Sequence, residues 1–336
     1  MSDAARPTAV RLTVLAAGAI GAIVGAAWLG FVPVNWEEVR HPFADSSTMN
    51  VFWRMRVPRT LLGAGAGAGL ALGGVILQAL FRNPLATPYT LGIASGASLA
   101  AAIGFLLHLG GYWLGVPALS LLAFGGALGS LALVYLMARL RSERDMARLL
   151  LAGVCIAYLG SAGVLLVTVL SGAAVTNDIV MWMIGALSTH RPLAVVEIFA
   201  VLIAALTAAI VSHRALDLMM MGDDLAASRG VNVSRVVWIC LLLVGLLTAV
   251  IVANCGPIGF VGLMAPHIAR AFVGPRTLPL VIGASLIGAA FLAFCDGVAR
   301  SFSTYELPVG VVTNILGAVF FFYLLATRDV VTPGGR

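Results

Sequence analysis

The stretch G-A-G-A-G-A-G-L-A-L-G-G, Gly63 to Gly74, lies inside an apolar run from about residue 58 to 80. A run of about 20 apolar residues is enough for a helix to cross the hydrocarbon layer of a membrane. Gly65, Gly69 and Gly73 recur every four residues and share one helix face. A face without side chains lets a second backbone approach closely, and van der Waals contact is the driving force for packing in lipid. The simplest use of this face is helix packing within one bundle. Gln78 follows one turn beyond Gly74. Its amide is costly in lipid unless paired, so it should face protein or water, and it is a candidate for lining a pathway.

The rest of the chain has the same character. Of its 336 residues, 61% are hydrophobic and only 10% are charged, with a mean hydropathy of +1.04. A soluble domain carries about 25% charged residues, so a soluble two-domain enzyme is excluded. The 20 cations are scattered between apolar runs without a basic stripe, which excludes nucleic-acid binding. All 20 are arginine. Without lysine there is no Walker A phosphate loop and no Schiff base, so the chain is no ATPase by that route. Cys155, Cys240, Cys255 and Cys295 lie in or beside apolar runs and read as small hydrophobes. No metal-ligand spacing, HExxH or GxSxG occurs, and no bound metal or cofactor is expected.

The apolar runs predict an all-α polytopic membrane protein, a single domain over 1–336. Ten spans are expected, near 12–32, 58–80, 89–108, 117–138, 149–170, 193–212, 234–254, 259–273, 278–298 and 309–327. The eighth is short and carries Pro266 and His267, so it is either a half-span or tilted. A further stretch, 179–188, is too short to cross and reads as a re-entrant or interfacial helix. With both termini in the cytoplasm, 14 arginines fall inside and six outside, as the positive-inside rule requires. Arg54, Arg56 and Arg59 nevertheless crowd one outer helix end. No span carries an acid near its middle, since Glu197 and Asp296 sit near span ends, and His267 reads as a hydrogen-bonded structural residue. That weakens the rival reading of an ion-coupled secondary transporter, which needs such a relay. A membrane scaffold without transport is the other rival.

Four polar, Pro/Gly-rich segments interrupt the apolar runs. They are R-V-P-R-T-L at Arg56–Leu61, Q-A-L-F-R-N-P-L-A-T-P-Y-T-L-G at Gln78–Gly92, G-P-I-G-F-V-G-L-M-A-P-H-I-A-R at Gly256–Arg270 and E-L-P-V-G-V-V-T at Glu306–Thr313. In order and spacing they resemble the FecCD-type permease subunit of ABC importers for iron chelates, haem and vitamin B12, from about residue 50 to the C-terminus. The resemblance implies a vitamin B12 permease-like (type II importer) fold in the bacterial inner membrane. It implies a homodimer around a central pathway, two cytoplasmic ATP-binding subunits, and a periplasmic or lipoprotein substrate-binding protein. A ferric siderophore is the first-choice cargo, with haem, cobalamin and molybdate next.

The resemblance also implies site residues. Arg56, Arg59 and Arg300 match the outer arginines that receive carboxylates of the binding protein, for which the guanidinium fork is well shaped. Lipid-phosphate anchoring is the other use of such arginines. Asn83, Pro84 and Leu85 match a cytoplasmic gate, and Pro84 and Pro88 require irregular backbone there. Met146 and Ala147 fall at the second gate position, where the family carries small hydroxyl residues. The segment 221–232, M-G-D-D-L-A-A-S-R-G-V-N, matches the pair of coupling helices that fits the ATPase. There Gly222, Asp223, Asp224, Ala227, Arg229 and Gly230 are the candidate contacts, with Arg229 where leucine is usual. Acids at a helix start and glycine after its end suit a short capped helix, although an ordinary solvated loop fits too. Met181, Trp182, Met183, His190 and Arg191 are candidates for lining the upper pathway, or simply for packing.

Overall fold

The computed structural model describes residues 5–31, 50–113, 115–139, 146–187, 191–302 and 306–327; the side chains of residues 5–7, 138–139 and 146–147 are outside that description. Among the described residues there are twelve α-helices. The chain opens with α1 (Ala5–Trp28), a π-helical segment (Asn50–Arg56) and α2 (Val57–Phe81). A 3-10 turn (Pro88–Leu91), α3 (Ile93–Leu106), α4 (Ala118–Arg139), α5 (Met146–Leu170) and α6 (Ala173–Met183) follow. The second half contains α7 (Pro192–Met221), α8 (Asp223–Ser228), α9 (Val233–Cys255), α10 (Val261–Val273), α11 (Thr277–Ser301) and α12 (Val309–Thr327). Eight of these segments are long and apolar enough to cross a membrane, and α3 and α10 are shorter apolar helices.

The ten expected spans all appear, two of them cut short. At 14 residues, α3 is about 21 Å long, because the 3-10 turn of Pro88–Leu91 takes the first part of the predicted run. At 13 residues, α10 is about 20 Å long, the half-span of the two alternatives. A two-residue antiparallel ladder, β1 (Tyr112–Trp113) with β2 (Val116–Pro117), joins α3 to α4 and was not anticipated. Tyr112 and Trp113 are exposed, as aromatic residues at a membrane–water boundary commonly are.

At the centre stands α2. Its glycine content would weaken a helix in water, but a backbone in lipid has no other partner for its polar groups. Nearly all of α2 is buried, between α11 on one side and α7, α9 and α10 on others. The glycines explain how. A Cβ at Gly67 would lie 2.1 Å from the carbonyl oxygen of Gly288 in α11, and one at Gly288 would lie 2.4 Å from that of Gly67. At Gly74 the Cβ would lie 1.8 Å from the oxygen of Gly262 in α10. Gly69 and Gly73 face Ile251 and Val244 of α9. Gly65 faces Phe199 and Ile198 of α7, so the four-residue repeat packs against α7 and α9, while the closest backbone contacts come from Gly67 and Gly74. All of this is packing within one chain, as expected.

The predicted short helix at 179–188 is corrected. It spans Ala173–Met183 instead, starting after Gly172 in an extended conformation. It cannot continue past Ile184, because Gly185 has φ +77° and the next amide is committed elsewhere: Ala186 N–H donates to Cys255 O at 2.9 Å.

Candidate functional site

Three places collect the candidate residues. The first is the helix end where α1, α2 and α11 meet. Arg59 reaches across to α11, where its Nε donates to Asp296 Oδ1 at 2.9 Å, and its Nη1 donates to Glu306 Oε2 at 2.5 Å. Arg300, one turn along α11, places its Nε 2.9 Å from Asp296 Oδ2. Its Nη2 donates to Ala26 O at 3.1 Å and to Thr60 Oγ1 at 3.3 Å. Arg56 Nη1 donates to Trp28 O at 3.2 Å. Asp296 is wholly buried, and a buried carboxylate is tolerable only when paired and hydrogen-bonded. Two arginines meet that need, which explains part of the cationic crowding at this end.

This arrangement differs from the exposed docking arginines expected. Arg56 and Arg300 are buried, and the Arg59 side chain is only 14% exposed. The groups that do reach the surface here are Trp53, Arg54, Met55 and the carboxylate of Glu306, 58% exposed. Sequence reasoning missed this because Arg59 and its two acids are 237 and 247 residues apart.

The second place is the arginine-rich end. Arg82, in a left-handed conformation (φ +48°), ends α2, and its N–H returns to Gln78 O. Asn83 Oδ1 accepts the Leu85 N–H at 2.9 Å, a tight side-chain-supported turn. Leu85 is 55% exposed. The loop then closes through Thr87 and Thr90, which cap the 3-10 turn. Gly92 and Gly153 let this turn lie directly on α5: a Cβ at Gly153 would be 2.4 Å from Thr90 O. Tyr89 Oη accepts the Ile258 N–H, tying the loop to the segment before α10. Gln78 is buried and accepts from Arg270 Nη2 at 2.9 Å through Oε1. It faces protein, one of the two expectations.

Next to this loop sits α8. Arg82 Nη2 donates to Asp223 Oδ1 at 3.0 Å, so the Asn83-Pro84-Leu85 loop is joined directly to the first residue of α8. Only one short helix of six residues occurs between α7 and α9, not a pair. Too few residues separate Ser228 from α9 for a second: Gly230 turns the chain at φ +83°, and Asn232 Oδ1 already caps α9 through the Arg235 N–H. Met221, Asp224, Leu225, Ala227, Arg229 and Gly230 are exposed, Gly222 and Asp223 half-buried. The Arg82–Asp223 pair was not legible from the sequence, which shows only an ordinary arginine and an acidic pair far apart in the chain.

The third place is the α6 region. Met181 and Met183 are exposed, whereas Trp182 turns inward onto the core. Arg191, which precedes α7, lines a cavity of about 330 Å³ together with Glu197 and Asn254; its side chain is 10% exposed, and Nη2 donates to Glu197 Oε1 at 2.6 Å. Asn254 at the end of α9 completes the set, its Nδ2 donating to Glu197 Oε2 at 3.2 Å. His190, and the side chains of Met146 and Ala147, lie outside the described residues. Gly310 permits the start of α12 to touch the same turn, since a Cβ there would be 1.8 Å from Ile184 O. No group of three or more metal-ligating residues occurs among the described residues.

A closely packed bundle of membrane-spanning helices, with an irregular Asn-Pro-Leu loop tied to a short helix at its arginine-rich end, defines a polytopic transport permease. The chain belongs to the FecCD transport family, whose model matches residues 15–327. It is 36% identical over 276 residues to the cobalamin import system permease protein BtuC of Halobacterium salinarum, covering 82% of this chain and 73% of that protein. It is 36% identical over 300 residues to the Fe(3+) dicitrate transport system permease protein FecD of Escherichia coli, covering 88% and 92%. Among solved structures it matches a metal-chelate type ABC transporter in an inward-facing conformation. That match has a TM-score of 0.81 and 29% identity, covering 94% of this chain and all of the other. The relatives are transport permeases, not enzymes.

Proposed function

We propose that this chain is one of two permease copies in an ATP-driven importer of metal chelates, with a ferric siderophore as first-choice cargo. The observation that carries the reading is the Arg82–Asp223 contact. It couples a solvent-facing short helix, the element a motor subunit can push, to the Asn83-Pro84-Leu85 loop, the element that can close a pathway. Lacking lysine, the chain needs such a motor. Two ATP-binding subunits seat on the exposed Met221, Leu225, Ala227 and Arg229. A second copy covers the exposed apolar faces of α5 and α12. Asn314 on α12 is also exposed, and a bare amide on a spanning helix belongs against protein or a water-lined path.

The binding protein docks at the opposite end, on Trp53, Arg54, Met55 and Glu306. Arg59 receives one of its carboxylates when that group displaces Glu306; Arg56 and Arg300 hold Arg59's surroundings in place. Met181 and Met183 line the upper pathway. Both termini lie in the cytoplasm, in keeping with an even number of crossings. The ion-coupled rival finds little support, because Asp296 is held by two arginines as a structural ion pair and is no open relay. Among importers, relatives with iron and cobalamin names match about equally, so cargo identity rests on assay.

The test is uptake in proteoliposomes with the cognate ATPase and binding protein. Labelled ferric siderophore, haem and cobalamin are compared with and without ATP. Uptake that requires both partners and ATP supports the reading. Uptake by the chain alone under an ion gradient overturns it.

A further inference from the structure

At the arginine-rich end, a crevice of about 640 Å³ opens between α1, α7 and the start of α11. Its floor is apolar, with Leu12 from α1 and Ile282 from α11. Its rim carries His213, Arg214 and Asp217 from α7 and Arg276 from the turn before α11. The single acid is already committed: Asp217 Oδ1 accepts the backbone N–H of Thr277 at 2.9 Å and its hydroxyl at 2.5 Å. His213 donates through Nδ1 to Ile210 O at 2.6 Å, since a carbonyl can only accept. Arg214 and Arg276 are exposed, and neither guanidinium group makes a hydrogen bond or ion pair with another described residue. The opening thus presents two uncommitted guanidinium groups above an apolar cleft.

We propose that this crevice binds an anionic phospholipid, its phosphate between Arg214 and Arg276 and its acyl chain along Leu12 and Ile282. Guanidinium recognises phosphate by paired N–H donors. Basic pockets between spanning helices on the cytoplasmic side are well suited to acidic headgroups. A free phosphate would gain nothing from the apolar floor, whereas a lipid uses both parts. The occupant would also serve the fold. Little of α1 is buried, and Arg11 holds it to Phe272 O at 3.1 Å, beside the crevice. A lipid seated here seals the seam between α1 and the helices α7 and α11. The inference needs only that the chain spans a membrane with its arginine-rich end in the cytoplasm, and it stands whether or not the transport reading does.

The experiment uses the full chain purified in detergent and titrated with dioleoyl phosphatidylglycerol, dioleoyl phosphatidylethanolamine or inorganic phosphate. Retained lipid is counted by native mass spectrometry and melting temperature is followed in parallel. Each arginine beside an anionic headgroup is worth about a factor of five in affinity, so Arg214→Gln with Arg276→Gln should weaken phosphatidylglycerol binding about 25-fold. Both positions are exposed, so the variant should fold. Arg235→Gln, an exposed arginine at the start of α9, should leave binding unchanged. Phosphatidylglycerol retained and stabilising in the wild type, and lost in the double variant, supports the proposal. Equal retention in the double variant, equal binding of phosphatidylethanolamine, or equal loss in Arg235→Gln overturns it. Equal stabilisation by inorganic phosphate overturns it too, in favour of a soluble-anion site.

Discussion

Replacing Gly67 with alanine tests whether α2 and α11 are held together by backbone contact. The new Cβ would start 2.1 Å from Gly288 O. Ordinary van der Waals contact of a Cβ begins at 3.4 Å, so the helices must part by about 1.3 Å at that level. A gap of 0.5–1 Å forfeits roughly a quarter to a half of each dispersion contact along the seam. Overpacking of this kind costs typically about 1–3 kcal/mol, and with rigid backbone on both sides the upper part of that range is expected. Gly288→Ala should cost a similar amount, because its Cβ meets Gly67 O at 2.4 Å. The double variant should cost clearly less than the sum, since the separation forced by one methyl group makes room for the other. The readout is the melting temperature of the detergent-solubilised chain, followed by loss of the monodisperse peak. Gly125→Ala, where nothing lies within 4 Å of the added Cβ, is the control and should melt as the wild type does. A Gly67→Ala variant as stable as Gly125→Ala would refute the close-contact argument.

Three further outcomes follow from the charged groups. Asp296→Asn removes the anion shared by Arg59 and Arg300 inside the protein; a loss of about 3–5 kcal/mol is expected, seen as low yield and early melting, and near-native melting would show the cluster to be dispensable. Glu306→Gln, at an exposed site, should change stability by less than about 1 kcal/mol yet tighten binding-protein docking by freeing Arg59, measured by surface plasmon resonance; weaker docking would place Glu306 itself in the contact. Arg82→Ala should also cost at most about 1 kcal/mol of stability, since the pair with Asp223 is half-exposed, while ATP-driven uptake falls severalfold with ATPase activity retained. Unchanged coupling in Arg82→Ala would remove this contact from the proposed mechanism.

Much of the helix layout could be read from the chain because lipid imposes one rule on all of it. Any apolar run of sufficient length becomes a helix, whatever its propensity, and α2 with its glycine repeat is the extreme case. The shortness of α10 has an equally local reason, although Pro266 lies inside it: the helix is bounded by Phe260 at φ +64° and Gly274 at φ +85°. Errors arose where another group, distant or adjacent, competed for the same amides. The end of α6 is set by Cys255 O, about 70 residues on, and the start of α3 by the capped turn at Thr87–Thr90. The candidate sites divide the same way. The irregular backbone of Asn83–Leu85 was legible from Pro84 and Pro88. The fate of the outer arginines was not, because nothing local announces that Asp296 and Glu306 fold back onto Arg59.

The four motifs have a common physical basis that their polar and Pro/Gly-rich composition only hints at. Gly74 meets Gly262 between the helix leading into the second motif and the third, Gly310 of the fourth meets Ile184 O, and a Cβ at Gly185 would be 2.4 Å from Pro257 O. Tyr89 of the second motif accepts Ile258 N–H of the third. Arg59 of the first is bound to Glu306 of the fourth. Each motif is thus a junction at which backbones or charges from distant helices are locked together. A permease moved by an external motor needs such junctions, because a push delivered at α8 is transmitted only by parts that do not yield. The loop of Asn83–Leu85 is tied to α8 by one half-exposed ion pair, at Arg82. A contact worth little in stability there is cheap to break and re-form, which is the property a gate requires.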